Sequence, residues 1–182
     1  NRPYAHSPLV LNNVPIPHKD SSRYLGLHLD AKLKYKTHIL TKRKQLELKH
    51  RKMLWLIGRH SKLHLNNKIL LYKTMLRPVW AYGSQMWACA ATSNIRQIEI
   101  MQNLILRQIV NAKWYERNAD IHAELGIESI DLFISTLYNR YEDRLHSHPN
   151  PEAIQLLDWD GELRRLKRRK PHKLAAPGFF KM

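Results

Sequence analysis

SNIRQIEIMQNLILRQI, residues 93–109, is the stretch that decides the fold class, because its apolar side chains recur at helical spacing. The large apolar residues that share this spacing are Ile95, Ile98, Met101, Ile105 and Ile109. Steps of three, three, four and four residues place them on one face of an α-helix. The stretch therefore predicts a long amphipathic helix whose apolar face packs on other helices.

Segments on both sides of this stretch repeat the helical pattern. Upstream, Ile39, Leu46 and Met53 recur every seventh residue, and lysines and arginines occupy much of the remaining surface. This pattern predicts a long helix with a basic exterior that ends near Gly58. Further helices are predicted from about residue 66 to Pro78, over 118–125, and from about residue 129 to His148.

The first thirty residues are typical of strands instead. Leu9–Leu11 and Val14–Ile16 flank Asn12-Asn13, a pair that tolerates positive φ, so a hairpin is predicted there. From Tyr24 to Leu29 leucines alternate with other residues, which predicts one strand with an apolar face.

These patterns together predict a mainly α fold, in which a small N-terminal β-hairpin and strand precede a helical bundle. We expect three parts, namely the strands at residues 1–30, the helical unit at 31–150 and a C-terminal extension at 151–182. The extension is dense in lysine and arginine from Arg164 to Lys173, which predicts a mobile basic tail.

The charge balance points to a nucleic-acid partner. The chain has 31 lysines and arginines against 15 acidic residues, a formal net charge of +16 and a pI of about 10.1. Such an excess attracts a phosphate backbone. A ribosomal protein, a chromatin protein or a protein at an acidic membrane surface could carry the same excess.

Cysteine content and hydropathy indicate the cellular compartment and whether a membrane is a partner. Cys89 is the single cysteine and can form no intramolecular disulfide, which favours a reducing intracellular setting, nuclear or cytoplasmic. No apolar run is long enough to cross a bilayer, so we expect no membrane partner.

Catalytic and metal-binding patterns are weak. Glu142-Asp143 lies on a predicted helix, and Asp158 and Asp160 do not flank a strand turn of the kind that holds paired magnesium ions. The histidine pairs have no cysteine near them in sequence. We therefore expect no catalytic residue, metal site or cofactor in this chain.

Basic residues interleaved with aromatic residues are the stronger signal. Such an arrangement holds nucleic-acid strands through backbone charge and base stacking. The basic residues Lys68, Lys73 and Arg77 precede the aromatic residues Trp80, Tyr82 and Trp87, and Arg107 and Lys113 bracket Trp114 and Tyr115. We predict that the first three basic residues bind nucleic acid, and that Trp80 and Trp87 lie in the core.

An ordered set of motifs resembles the end of the palm and the thumb of a reverse transcriptase from a jockey-like non-LTR retrotransposon. The motifs are Leu11–Pro17, Tyr24–Asp30, Trp55–Gly58, Tyr72–Trp87 and Leu106–Ala112. The resemblance implies an RNA/DNA template–primer as partner, together with the rest of the polymerase. It also implies that the catalytic aspartates and their Mg²⁺ belong upstream of this segment, so that this chain alone would be inactive.

The resemblance further assigns residues to the nucleic acid. Tyr24, Leu25 and Gly26 would lie near the primer terminus, and Gly26 would allow close approach of the backbone. The basic residues that would follow the phosphates are Lys42, Lys44, Lys49, Arg51 and Lys52.

Three functions are compatible with the sequence. The first is a C-terminal fragment of a retrotransposon RNA-directed DNA polymerase that binds the template–primer while the parent polymerase transfers nucleotides. The second is a non-catalytic helical module, a decayed or domesticated thumb, that binds RNA or DNA or docks on a protein. The third is a helical scaffold whose charge serves only solubility.

Overall fold

Two small antiparallel hairpins open the chain in the computed structural model, which describes residues 9–17 and 19–154. In the first, β1 (Val10–Leu11) pairs with β2 (Val14–Pro15). Asn12 and Asn13 form the turn at φ 50° and 61°, the left-handed region that paired asparagines tolerate. The predicted hairpin is confirmed, and its apolar side chains are exposed.

The second hairpin corrects the prediction of one continuous strand over residues 24–29. β3 (Ser21–Tyr24) pairs with β4 (Leu27–Asp30), and the chain reverses between them. Leu25 and Gly26 form the turn at φ 45° and 77°. Alternating leucines suggested a strand, but two consecutive residues in the left-handed region make a tight turn of the hairpin type.

The rest of the described chain is mainly helical, as predicted. The helices are α1 (Lys36–Ile57), α2 (Leu65–Leu71), α3 (Arg77–Ala81), α4 (Ser84–Trp87), α5 (Thr92–Val110), α6 (Asn118–Leu125), α7 (Ile130–His146) and α8 (Pro151–Ile154). A π-helical turn at Tyr72–Leu76 joins α2 to α3, so Pro78 lies in the first turn of α3. The predicted basic tail lies outside the described residues, and the domain boundaries at 30 and 150 stay predictions.

Helices α1 and α5 form the centre of the fold. They run side by side in the same direction, since Arg43 donates to Gln97 at 2.6 Å and Gln108 lies beside His50 farther along both helices. Their facing apolar side chains are buried. The fully buried apolar residues that they contribute are Ile39, Leu46, Ile57, Ile98, Ile105 and Leu106.

The connection between α1 and α5 supplies the large aromatic part of the core. Trp80 on α3 and Trp87 on α4 are buried, which confirms the prediction for both. The Trp80 ring meets Phe133 of α7 edge to face, with 5.4 Å between ring centroids. This contact joins α7 to the same core. Among the described helices, none is long and apolar enough to cross a membrane.

Candidate nucleic-acid interface

The tip of the second hairpin is attached to the helical core by one tyrosine. Tyr82, at the end of α3, donates its hydroxyl to the backbone oxygen of Leu25 at 2.7 Å. A side chain at Gly26 would crowd the same ring, because a Cβ there would lie 3.2 Å from Tyr82 Cε1. The turn of Leu25 and Gly26 is therefore held in a fixed position, and the side chains of Tyr24 and Leu25 are exposed there.

Two cations lie beside this turn. The Lys42 ammonium is 5.2 Å from the centroid of the Tyr82 ring, a cation–π contact. Burial lowers the pKa of Lys42, and the positive charge of Arg23 on β3 lowers it further. Two positive charges close enough to repel each other in a partly desolvated setting form a favourable place for an anion such as a phosphate.

The sequence patterns indicate neither the contact of Tyr82 with the hairpin nor the part of Arg23 in this site. Tyr82 is 57 positions from Leu25 along the chain, so no local pattern could connect them. For Arg23 a weak signal existed, because a basic residue directly precedes the Tyr24 motif.

The five basic residues predicted on α1 do not form one surface. Lys42 and Lys49 are seven positions apart and share a row on the side of the hairpin. Lys44 and Arg51 share a different row, which faces away from the core, and Lys52 is also exposed. Arg51 is engaged with Glu47 at 2.6 Å. A straight duplex backbone can follow only one of these rows at a time.

Lys68 does not lie where a phosphate could reach it. Its side chain is buried, with only 6% of the residue exposed, and its ammonium donates to the backbone oxygen of Gly58 at 3.0 Å. Lys68 thus satisfies a carbonyl at the end of α1. The prediction of Lys68 as a nucleic-acid contact is corrected, because tertiary packing turns this lysine inward.

Arg77 is also engaged within the protein. Its guanidinium lies 4.6 Å from the ring centroid of Phe133 and 3.4 Å from a carboxylate oxygen of Glu128, and only 13% of its side chain is exposed. This arginine joins α3 to α7, which corrects its assignment as a phosphate contact. Lys73, on the π-helical turn between α2 and α3, is exposed, and its assignment to nucleic-acid binding stays a prediction.

A buried histidine connects α1 to the second hairpin. His38 Nδ1 accepts the backbone N–H of His28 on β4 at 3.3 Å, so the neutral ring carries its proton on Nε2. Burial lowers the pKa of His38 to about 4, and the charges of Lys42 and His28 act in the same direction. His38 is therefore neutral at physiological pH.

Acidification should destabilise the protein through His38. The unfolded chain binds a proton near pH 6.5 and the folded chain only near 4, so stability is lost as the pH falls through this window. We expect a loss on the order of 2–3 kcal/mol, measured by urea unfolding at neutral pH and near pH 4. The His38→Asn variant keeps an acceptor for the His28 N–H and should lose clearly less. An equal loss in that variant would contradict the assignment.

Within residues 9–17 and 19–154, no three histidine, cysteine or acidic side chains come together in a way that could hold a metal ion. What the described surface offers is positive charge beside a rigid turn, which suits binding of an anionic polymer.

The chain is similar in sequence to RNA-directed DNA polymerases of Drosophila melanogaster transposons. The chain is 37% identical over 167 residues to the probable RNA-directed DNA polymerase from transposon X-element, covering 92% of this chain and 18% of that protein. It is 36% identical over 172 residues to the RNA-directed DNA polymerase from mobile element jockey, covering 90% and 19%. The probable RNA-directed DNA polymerase from transposon BS is 32% identical over 163 residues, covering 90% and 18%.

The chain thus spans less than a fifth of the length of these relatives. No protein-family model and no solved structure matches it.

Proposed function

Because this chain is homologous over about nine-tenths of its length to a segment of the RNA-directed DNA polymerases of jockey-like transposons, we propose that it grips the template–primer duplex in such a polymerase. In this proposal the helical unit acts as a thumb, and the second hairpin lies near the primer terminus. Nucleotidyl transfer and the metal ions it uses belong to the rest of the polymerase, with which this segment acts.

The observation that carries the proposal is the fixed hairpin turn with its two cations. Tyr82 holds the backbone of Leu25 in place, and the Lys42 ammonium lies over the Tyr82 ring. Arg23 on β3 is close enough to Lys42 for its charge to lower the pKa of that lysine. A fixed turn positions a nucleic-acid strand, and the two cations neutralise the phosphates of that strand. Lys49 continues the row of Lys42 along α1, which extends the positive surface in a line.

Charge reversal on this row should weaken duplex binding strongly. For the Lys42→Glu, Lys49→Glu double variant we expect about a tenfold or greater loss of affinity for a blunt RNA/DNA heteroduplex at low salt. The slope of log affinity against log salt should fall by about two counterions, since two phosphate contacts are lost. Fluorescence anisotropy across a salt series measures both quantities.

The matched control reverses two lysines of α1 that lie off this row. Lys44→Glu, Lys52→Glu makes the same change in net charge on exposed positions of the same helix. It should weaken binding clearly less and change the salt slope by less than the first variant. Equal losses in the two variants would mean that net charge alone governs binding, and the proposed site would be wrong.

A further inference from the structure

The loop after α5 is built around one arginine. The Arg107 guanidinium donates to the backbone oxygen of Glu116 at 2.8 Å, to Asn118 Oδ1 at 3.2 Å and to the backbone oxygen of Lys113. Three acceptors spread over six residues converge on one rigid, planar donor. The conformation of residues 113–118 is therefore fixed from inside the loop.

This fixed loop presents two aromatic rings to solvent. Trp114 is 91% exposed, the most exposed of the large apolar residues in the described chain, and Tyr115 is also exposed. The two rings meet edge to face, with 5.8 Å between centroids and an interplanar angle of 82°. The Lys113 ammonium lies 6.0 Å from the centroid of the Tyr115 ring. An uncovered indole on a rigid support is typical of a binding surface.

We propose that Trp114 and Tyr115 form a stacking site for unpaired bases of a nucleic-acid strand, with Lys113 and Arg117 beside them to bind its phosphates. This proposal rests on the proposed function in one respect, because the unpaired bases would belong to the single-stranded part of the template–primer. Stacking on an aromatic ring tolerates any base, because every base has a flat π-face.

Charge favours a nucleic acid over an apolar protein partner. The loop carries Lys113 and Arg117 next to its two rings against one acidic residue, Glu116, and the chain as a whole has a net charge of +16. The centre of a protein–protein interface is depleted in charged residues, especially lysine. Single-strand sites, in contrast, combine exposed rings with cations that follow the backbone.

A third ring lies toward the same end of the helical unit. Trp55, on the last turns of α1, is 77% exposed and is flanked by Arg51 and Lys52. Since α1 and α5 run in the same direction side by side, the end of α1 and the loop after α5 lie toward one end of the fold. A strand that stacks on Trp114 can therefore continue over a basic surface.

The test compares variants of the full chain in binding to a labelled oligothymidylate. Trp114→Leu removes the aromatic face and should weaken binding about tenfold, whereas Trp114→Phe keeps a ring and should retain most of the affinity. Quenching of tryptophan fluorescence by the unlabelled strand should be clearly smaller in Trp114→Leu, and the quenching that remains should come from Trp55. Leu70→Ala removes an exposed apolar side chain on α2 and is the matched control, with no change expected.

The outcomes separate this site from the proposed function. The loss of blunt-heteroduplex binding in Lys42→Glu, Lys49→Glu relative to its control decides the proposed function. Trp114→Leu should leave wild-type duplex binding within about twofold, since bases inside a duplex are stacked on one another and do not reach the ring. Unchanged oligothymidylate binding in Trp114→Leu would overturn the stacking site while leaving duplex binding untouched. Polyglutamate that binds and quenches as well as the oligonucleotide would also overturn it, because the site would then accept any acidic partner.

Discussion

Replacing Trp80 with alanine should lower the free energy of unfolding by about 3–5 kcal/mol. Trp80 has no exposed surface, and its ring contacts Phe133 of α7 edge to face. The variant loses the transfer free energy of the indole and leaves a cavity between α3 and α7 that the surrounding helices fill only in part. Chemical denaturation followed by circular dichroism measures the loss.

The same substitution at Trp114 is the control for Trp80. Trp114 is 91% exposed, so Trp114→Ala should change the stability by less than about 0.5 kcal/mol. A comparable loss in both variants would show that the loop after α5 packs against the core, contrary to the structure. The comparison also establishes that Trp114 variants fold, on which the oligonucleotide experiment depends.

Lys68→Glu should be the second strongly destabilising substitution, with an expected loss of about 3 kcal/mol or more. The Lys68 ammonium is buried and donates to the backbone oxygen of Gly58 at the end of α1. A carboxylate in its place would be buried against a carbonyl oxygen, with repulsion where there was a hydrogen bond. Thermal and urea unfolding of the purified variant measure the change.

Two further variants show whether the loss of stability in Lys68→Glu comes from the burial of this position or from the charge reversal alone. Lys73→Glu makes the same charge reversal at an exposed position and should leave the stability within about 0.5 kcal/mol. Lys68→Met keeps the apolar stem but loses the hydrogen bond, so it should lose about 1–2 kcal/mol. If Lys68→Glu folds with wild-type stability and only binds nucleic acid more weakly, Lys68 is a surface contact after all.

Helical periodicity was the most reliable guide to the fold. The spacing within 93–109 predicts one shared apolar face, and Ile95, Ile98, Met101, Ile105 and Ile109 are all buried on α5. The helix end at Gly58 and the turn at Asn12-Asn13 also followed from local residue preferences. These features depend on residues within a few positions of one another, so they can be predicted from the sequence alone.

The second hairpin shows where local patterns mislead. Alternation of leucines from Tyr24 to Leu29 predicted a strand, yet Leu25 has φ 45° and forms a turn. A leucine rarely adopts this conformation without support from elsewhere. Here the support is the hydroxyl of Tyr82, which holds the Leu25 carbonyl from a distant part of the chain.

The sequence by itself determined that this protein is mainly helical, strongly basic and similar to one segment of a retrotransposon polymerase. Only the tertiary structure decided which basic residues face solvent. Lys68 and Lys73 are five positions apart in one basic and apolar stretch, yet packing buries the first against Gly58 and exposes the second. Charge and periodicity are properties of the chain, whereas the burial of one side chain depends on every element that packs around it.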